Sequence, residues 1–134
     1  MRPWVISVLL MGAVYLAQSA AFAACYNYDP AQVSLRGTLV YQLYSDPPAL
    51  GEPKQYGYFL QFPSPVCVSG DPATPGYAPE KGLREVQVSG TAQMFALLSG
   101  HVGQDVTVTG NLRHSLDKSS STRVYLKVSH VERN

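Results

Sequence analysis

The chemistry open to this 134-residue chain starts with a few reactive side chains: three histidines, two cysteines and one Ser-x-x-Lys pair. His101, His114 and His130 are scattered, with no H-x-H or H-x-x-x-H pair and no carboxylate at ligand spacing beside them. A zinc centre needs three or four convergent nitrogen, sulfur or carboxylate ligands, so no metal site is expected. Solvent-exposed or capping roles suit these histidines better. The letters "SLDK", Ser115 to Lys118, match the serine acyl-enzyme pattern. There the serine opens a buried helix so that the lysine one turn on can activate it. Here the four residues sit in a serine-rich polar turn with no K-T-G companion. Glu80 and Glu85 fall in a loop and at a strand start and do not pair as an acid and base. "SGHVG" at Ser99 precedes a strand, so it offers no helix N-terminus to an anion. No catalytic residue and no cofactor are expected, and the chain is not read as an enzyme.

The cysteines point elsewhere. Residues 1–24 read as an export signal: Arg2 is the only early charge, an apolar stretch runs from Trp4 to about Leu16, and "AQSAAFAAC" ends it in small residues. Ala21-Phe22-Ala23 fits signal peptidase cleavage before Ala24 or nearby. The apolar stretch, about 13 residues, falls short of the roughly 20 that span a bilayer. Outside the cytoplasm an even cysteine count suggests a disulfide, Cys25 to Cys67. It would close a loop of about 43 residues, worth roughly 4 kcal/mol in the chain-entropy model. A competing use of Cys25 is lipidation after "FAAC", but Phe22 stands where leucine is much preferred. The expected location is the periplasm or the medium, with a lipid anchor on Cys25 as the less favoured alternative.

Removing 24 of 134 residues leaves 110, Cys25 to Asn134, enough for one modest domain. Arg2 departs with the signal, so ten basic residues become nine against nine acidic ones. Phosphate recognition needs a positive field, and a balanced chain supplies none in bulk. No nucleic-acid partner is therefore expected, no membrane span after cleavage, and a monomer.

Strand-type alternation dominates the domain. Val33, Leu35, Gly37, Leu39, Tyr41 and Leu43 share one face of a long first strand, with Ser34, Arg36 and Thr38 on the other. A Pro/Gly-rich loop, Ser45–Gln55, follows. The second strand is "YGYFLQF", Tyr56–Phe62, closed by Pro63 and Pro65, which cannot donate to a ladder. "VCV" then presents Cys67. Ser69–Gly82 reads as a second long loop and as the most mobile part. "LREVQV" is a third strand, with Val86 and Val88 inward. "TAQMFALLSG" is the one helical candidate, capped by Thr91 and ended by Gly100. "QDVTVTGNLRH" and "RVYLKVSHV" are the fourth and fifth strands, joined by a polar turn.

The order β-β-β-α-β-β is that of the OB fold, a five-stranded barrel with a helix between strands three and four. Closing so few strands requires a long strand to bend and serve both halves. Gly37 and Gly110 interrupt the first and fourth strands at matching inward positions. A glycine there admits bulge geometry and close approach of the opposing sheet. They are read as structural glycines at the coils of a closed barrel.

The residues "CY" at Cys25, "VSLRGTLV", "YFLQFPSPVCV", "LLSGHVGQDVTVTGNL" and "VYLKVSHV" together resemble a group of exported, two-cysteine bacterial proteins classed as a domain of unknown function with an OB-like pattern. The resemblance spans nearly the whole of residues 25–134. It implies the barrel and supplies no activity. It also implies histidines in the turn after the fourth strand, where this chain has His114 alone.

OB folds bind through strands two and three and the loops joining strands 1–2 and 4–5. Here those are the second strand, Arg84–Val88, Ser45–Gln55 and His114–Thr122. The expected contact set is Tyr56, Tyr58, Phe59, Gln61, Arg84 and His114, with the inward face of the second strand left open. Nine tyrosines, eight of them after residue 24, offer contact area at low entropic cost. They suit a glycan or a protein surface, or alternatively close the barrel ends. The reading is an exported, non-catalytic binding module for an envelope protein or glycan. The alternative is an inhibitor or immunity protein acting on an envelope-directed enzyme.

Overall fold

The computed structural model describes residues 25–43, 55–115 and 122–134. The expected export signal, the 45–54 loop and most of the polar turn with Lys118 lie outside the described residues. Six strands and one helix follow in the order β1 Tyr26–Asn27, β2 Val33–Leu43, β3 Tyr56–Ser69, β4 Glu80–Ser89, α1 Ala92–Ser99, β5 Asp105–His114 and β6 Val124–Arg133. The five strands read from the sequence are β2 to β6.

Pairing closes a ring. The sheet order is β1-β3-β2-β5-β6-β4, and β4 also pairs with β3. All contacts in the ring are antiparallel except β4 with β6, which is parallel. This is the OB-like arrangement: mainly β, with one helix between its third and fourth strands. β2 is shared between the two halves: Val33–Thr38 pairs with β5 and Thr38–Leu43 pairs with β3. The changeover falls beside Gly37. A Cβ there would overlap the Gln61 carbonyl. Gly110 sits where the β5–β6 register slips between Thr109 and Gly110, and a Cβ there would overlap the Lys127 carbonyl. At each of these two crossings a second backbone occupies the space a side chain needs.

The ring is filled by the inward residues of the alternation: Leu35 and Leu39 from β2, Leu60 from β3, Val86 and Val88 from β4, Val106, Val108 and Leu112 from β5, and Val124, Leu126 and Val128 from β6. Leu98 of α1 is fully buried among them. Thr91 caps the helix, its hydroxyl accepting from the Met94 N–H at 3.2 Å, and Gly100 ends it.

The structure corrects two expectations about boundaries and adds one strand. Pro63 and Pro65 do not end their strand, because β3 runs on to Ser69. Between Gln61 and Val66 β3 advances five residues while β4 moves two, from Glu85 to Leu83. The prolines occupy that slack, where no ladder N–H is called for. Ser69–Gly82 is not a long free loop either: Ser69 ends β3, Glu80 opens β4, and the residues between are tied. The Asp71 N–H donates to the Tyr77 carbonyl at 2.9 Å, and the Thr74 hydroxyl donates to Asp71 Oδ2 at 2.6 Å. Finally, β1 was not legible. It pairs parallel to β3 at Val68 and Ser69, beside the Cys25–Cys67 disulfide.

Candidate binding groove at the tyrosine end

The strands run between two dissimilar ends. At one, β2 finishes at Leu43 and β3 begins at Tyr56, directly opposite. Tyr41 faces Tyr58, and Tyr58 faces Val88. These residues continue the inward parity of Leu39, Leu60 and Val86, carried past the point where the core is filled. Their rings therefore meet at the mouth of the ring. Tyr41 lies 4.9 Å from Tyr58 and stacks on Tyr56 at 5.6 Å with planes 21° apart. Tyr58 stacks on Phe95 of α1 at 5.7 Å. Tyr58 and Phe95 pack against the core, whereas Tyr41 is 53% exposed and Tyr56 49%. A groove of about 380 Å³ follows this ladder, lined also by Gly57 and by Gln87, Val88 and Ser89 of β4. Its described lining carries amides, hydroxyls and rings but no charge.

The other end is sealed. Tyr28, 3% exposed, lies across the ring and donates its hydroxyl to the Ala78 carbonyl at 2.6 Å. Its ring lies 4.7 Å from Tyr77 and 6.3 Å from His114. Burial, then the nearby Glu80 charge and Tyr77, push its phenol up to about 12. The Cys25–Cys67 disulfide holds the segment that carries Tyr28.

His114 is the main correction to the histidine reading. It is neither exposed nor a simple cap. Its Nε2 lies 3.0 Å from Glu80 Oε1 and its Nδ1 3.0 Å from the Ser115 carbonyl. Arg123 approaches the other Glu80 oxygen at 3.5 Å. Glu80 opens β4 and His114 ends β5, so ring closure joins residues 34 apart. No sequence period reports such a pair. His130 sits 2.9 Å from Glu132 on the surface, and His101 3.3 Å from Gln104. Among the described residues no group of three or more histidine, cysteine or acidic side chains forms a metal site.

The expected contact set therefore divides. Tyr56 and Tyr58 belong to the groove. Gln61 and Arg84 are exposed elsewhere on β3 and β4. His114 belongs to the sealed end. Phe59 is 1% exposed, so it offers no contact surface. It faces away from Leu60 and is buried all the same. Tyr41, missed as a site residue, was legible as an inward position one step too far along β2 to be covered.

Cys25 and Cys67 form the expected disulfide, with Cα atoms 4.7 Å apart. A disulfide belongs to a non-reducing compartment. The Cys25 sulfur is engaged by Cys67, which leaves none for a lipid. Among the described residues no helix is long and apolar enough to cross a membrane.

No family model matches the chain, and no curated protein matches it. Membership of the exported two-cysteine group is thus not established, and what stands is the OB-like fold. Among solved structures, a small single-stranded DNA-binding protein from Streptomyces coelicolor is similar at 18% identity and a TM-score of 0.41. The match covers 78% of this chain and 92% of that one. This finding corrects the expectation that nucleic acid is excluded as a partner. That expectation came from net charge, which sums the whole surface and is blind to where cations and stacking rings gather locally.

Proposed function

We propose that the chain is an exported, non-catalytic binding module of the cell envelope, in the periplasm or secreted, that holds a glycan strand against the Tyr41–Tyr56 ladder. The single observation carrying this reading is a pair of stacked, half-exposed tyrosines at the end of the ring opposite Tyr28. Ring faces cover the apolar face of a sugar, while phenol and amide groups meet its hydroxyls. Gly57 leaves the groove floor low, and Gln87 and Ser89 supply donors and acceptors along one wall. A lining without charge suits a ligand rich in hydroxyls. The rings are rigid, with two side-chain torsions each, so little entropy is lost when they are covered.

The test is titration of the full exported chain with cell-wall glycan fragments, followed by tyrosine fluorescence and calorimetry. Wild type is expected to bind, and Tyr41→Ala with Tyr56→Ala to weaken binding at least about tenfold, roughly 1.4 kcal/mol. Folding stability should move by less than about 1 kcal/mol, since both rings are half in water. Stoichiometric co-purification with an envelope hydrolase, unaffected by the double substitution, would replace this reading by the inhibitor one. Binding of an oligonucleotide in place of every glycan would replace it by a nucleic-acid one.

A further inference from the structure

Beyond the β4 wall of the groove the sheet continues into β6 and β5. Gln87 and Ser89 line it, and they are the Cα partners of Tyr125 and Lys127 on β6. Tyr125 and Lys127 alternate with the buried Val124, Leu126 and Val128, so they point outward. On the far side β6 pairs with β5, placing Arg113 opposite Tyr125 and Asn111 opposite Lys127. Two rows thus cross the outer face: Gln87, Tyr125, Arg113 and Ser89, Lys127, Asn111. Adjacent strands lie about 4.8 Å apart, so both cations fall within roughly 10 Å of the β4 wall.

These two cations are poorly satisfied. Lys127 is exposed and makes no ion pair among the described residues. Among the described residues Arg113 reaches only Asp29, at 3.8 Å, and its Nε–H is buried without an acceptor. The Arg113 side chain is nevertheless 36% exposed, and that exposed part is what an anion outside the sheet can meet. No acidic side chain stands in either row. Arg36, by contrast, is fully engaged by Asp105 at 2.6 Å on another part of the surface.

We infer that the groove takes an acidic glycan, one bearing carboxylate or phosphate groups, whose neutral ring faces lie on Tyr41 and Tyr56 and whose anionic groups reach Lys127 and Arg113 across β4. This rests on the glycan reading and narrows its ligand class. The rings give contact without regard to charge, and the outer rows select the charged polymer. Tyr125, between Gln87 and Arg113, offers a further ring on the path.

The test compares three probes on the full disulfide-bonded chain: a galacturonate hexamer, a neutral cello-hexamer, and a short phosphorylated glycan carrying the same ring count. At low salt the two acidic probes should bind about tenfold more tightly than the neutral one, with the gap closing as ionic strength rises past about 0.15 M. Lys127→Gln should remove at least about threefold of that preference and leave the neutral hexamer unchanged. Arg133→Gln, a change to an exposed cation off these rows, should leave all three unchanged. Because Arg113 contributes to packing, Lys127→Gln carries the decision if Arg113→Gln fails to fold. Equal affinity for acidic and neutral probes, both lost in the Tyr41/Tyr56 double variant, overturns the anionic preference while the glycan reading stands. Binding by none of the three sinks both. An oligothymidylate that binds through Lys127 when no glycan does overturns the acidic-glycan occupant.

Discussion

The two ends of this ring are built from the same residue type and put it to opposite uses. Tyr28 and Tyr77 close one end. Tyr41 and Tyr56 stand open at the other. The difference lies in what meets the phenol. Tyr28 is buried with its hydroxyl on a backbone carbonyl, so its polar tip is satisfied where water cannot reach. It is also tied by chain connectivity, through β1 and the disulfide, to β3. Among the described residues Tyr41 and Tyr56 have no such tether. They follow the inward parity of β2 and β3 beyond the filled core and end half in water. A tyrosine becomes a plug when the backbone brings it both cover and an acceptor. It becomes a platform when the strand outruns the core.

Three perturbations sharpen that contrast. The largest acts on the frame both ends share. Gly110→Val must place a branched side chain where the Lys127 carbonyl stands, at the β5–β6 slip. The backbone cannot yield without losing the bulge that turns the strand. A loss of about 5 kcal/mol is expected, in the exceptional range for one substitution. Chemical denaturation measures it, with retention of the folded fraction at zero denaturant as the first check. A neutral outcome would mean that the two ends do not depend on the coil at this position.

The next perturbation touches the sealed end alone. Replacing Cys25 and Cys67 together by serine frees a segment whose bridge spans 42 residues. The chain-entropy model gives a loss of about 4 kcal/mol. The tyrosine groove contains neither residue, so ligand affinity of the molecules that remain folded should be unchanged. Urea unfolding and binding on the same preparation separate the two. A stability loss under about 1 kcal/mol would show that Tyr28 packing holds this end without its covalent tie. A drop in affinity would show that the ends are coupled.

The same contrast explains what was legible in the sequence. β2 as far as Leu39, β5, and β6 as far as Val128 bury one face, so a period of two holds there, and the glycines of β2 and β5 stand out against it. The helix announced itself through Thr91 and Gly100, one at each boundary. β3 was harder. Leu60 and Phe59 are both buried, on opposite faces, so alternation fails where the strand is covered on both sides. That is why its inward face could not be chosen and why Phe59 passed for surface. β1 is two residues long and has no period at all. The Glu80–His114 contact joins residues brought together only by closure, and neither residue type nor spacing marks it. The groove was half legible: the tyrosines were visible as a group, but not which of them the fold would cover.

The smallest perturbation asks whether Tyr28 is truly out of reach of solvent. Its phenol is pushed up from the ordinary value of 10.0 to about 12, first by burial and then by Glu80. A raised value means that the folded state favours the neutral phenol. Below pH 10 both folded and unfolded chains keep the proton, and Tyr28 adds no pH dependence. Between about 10 and about 12 the unfolded chain releases it first, so stability falls as pH rises through that window. Lysines and other tyrosines titrate there too, which makes Tyr28→Phe the necessary reference. At pH 8 that variant should be less stable than wild type by about 1 kcal/mol, having left the Ala78 carbonyl unpaired. As pH climbs to 12 the deficit should shrink and then reverse, because phenylalanine has no proton to lose. Urea midpoints at successive pH values read the crossing, and tyrosinate absorbance counts one ring ionising later than the rest. Parallel pH curves for the two proteins would place the Tyr28 hydroxyl in water, and the sealed end would then differ from the open one in name only.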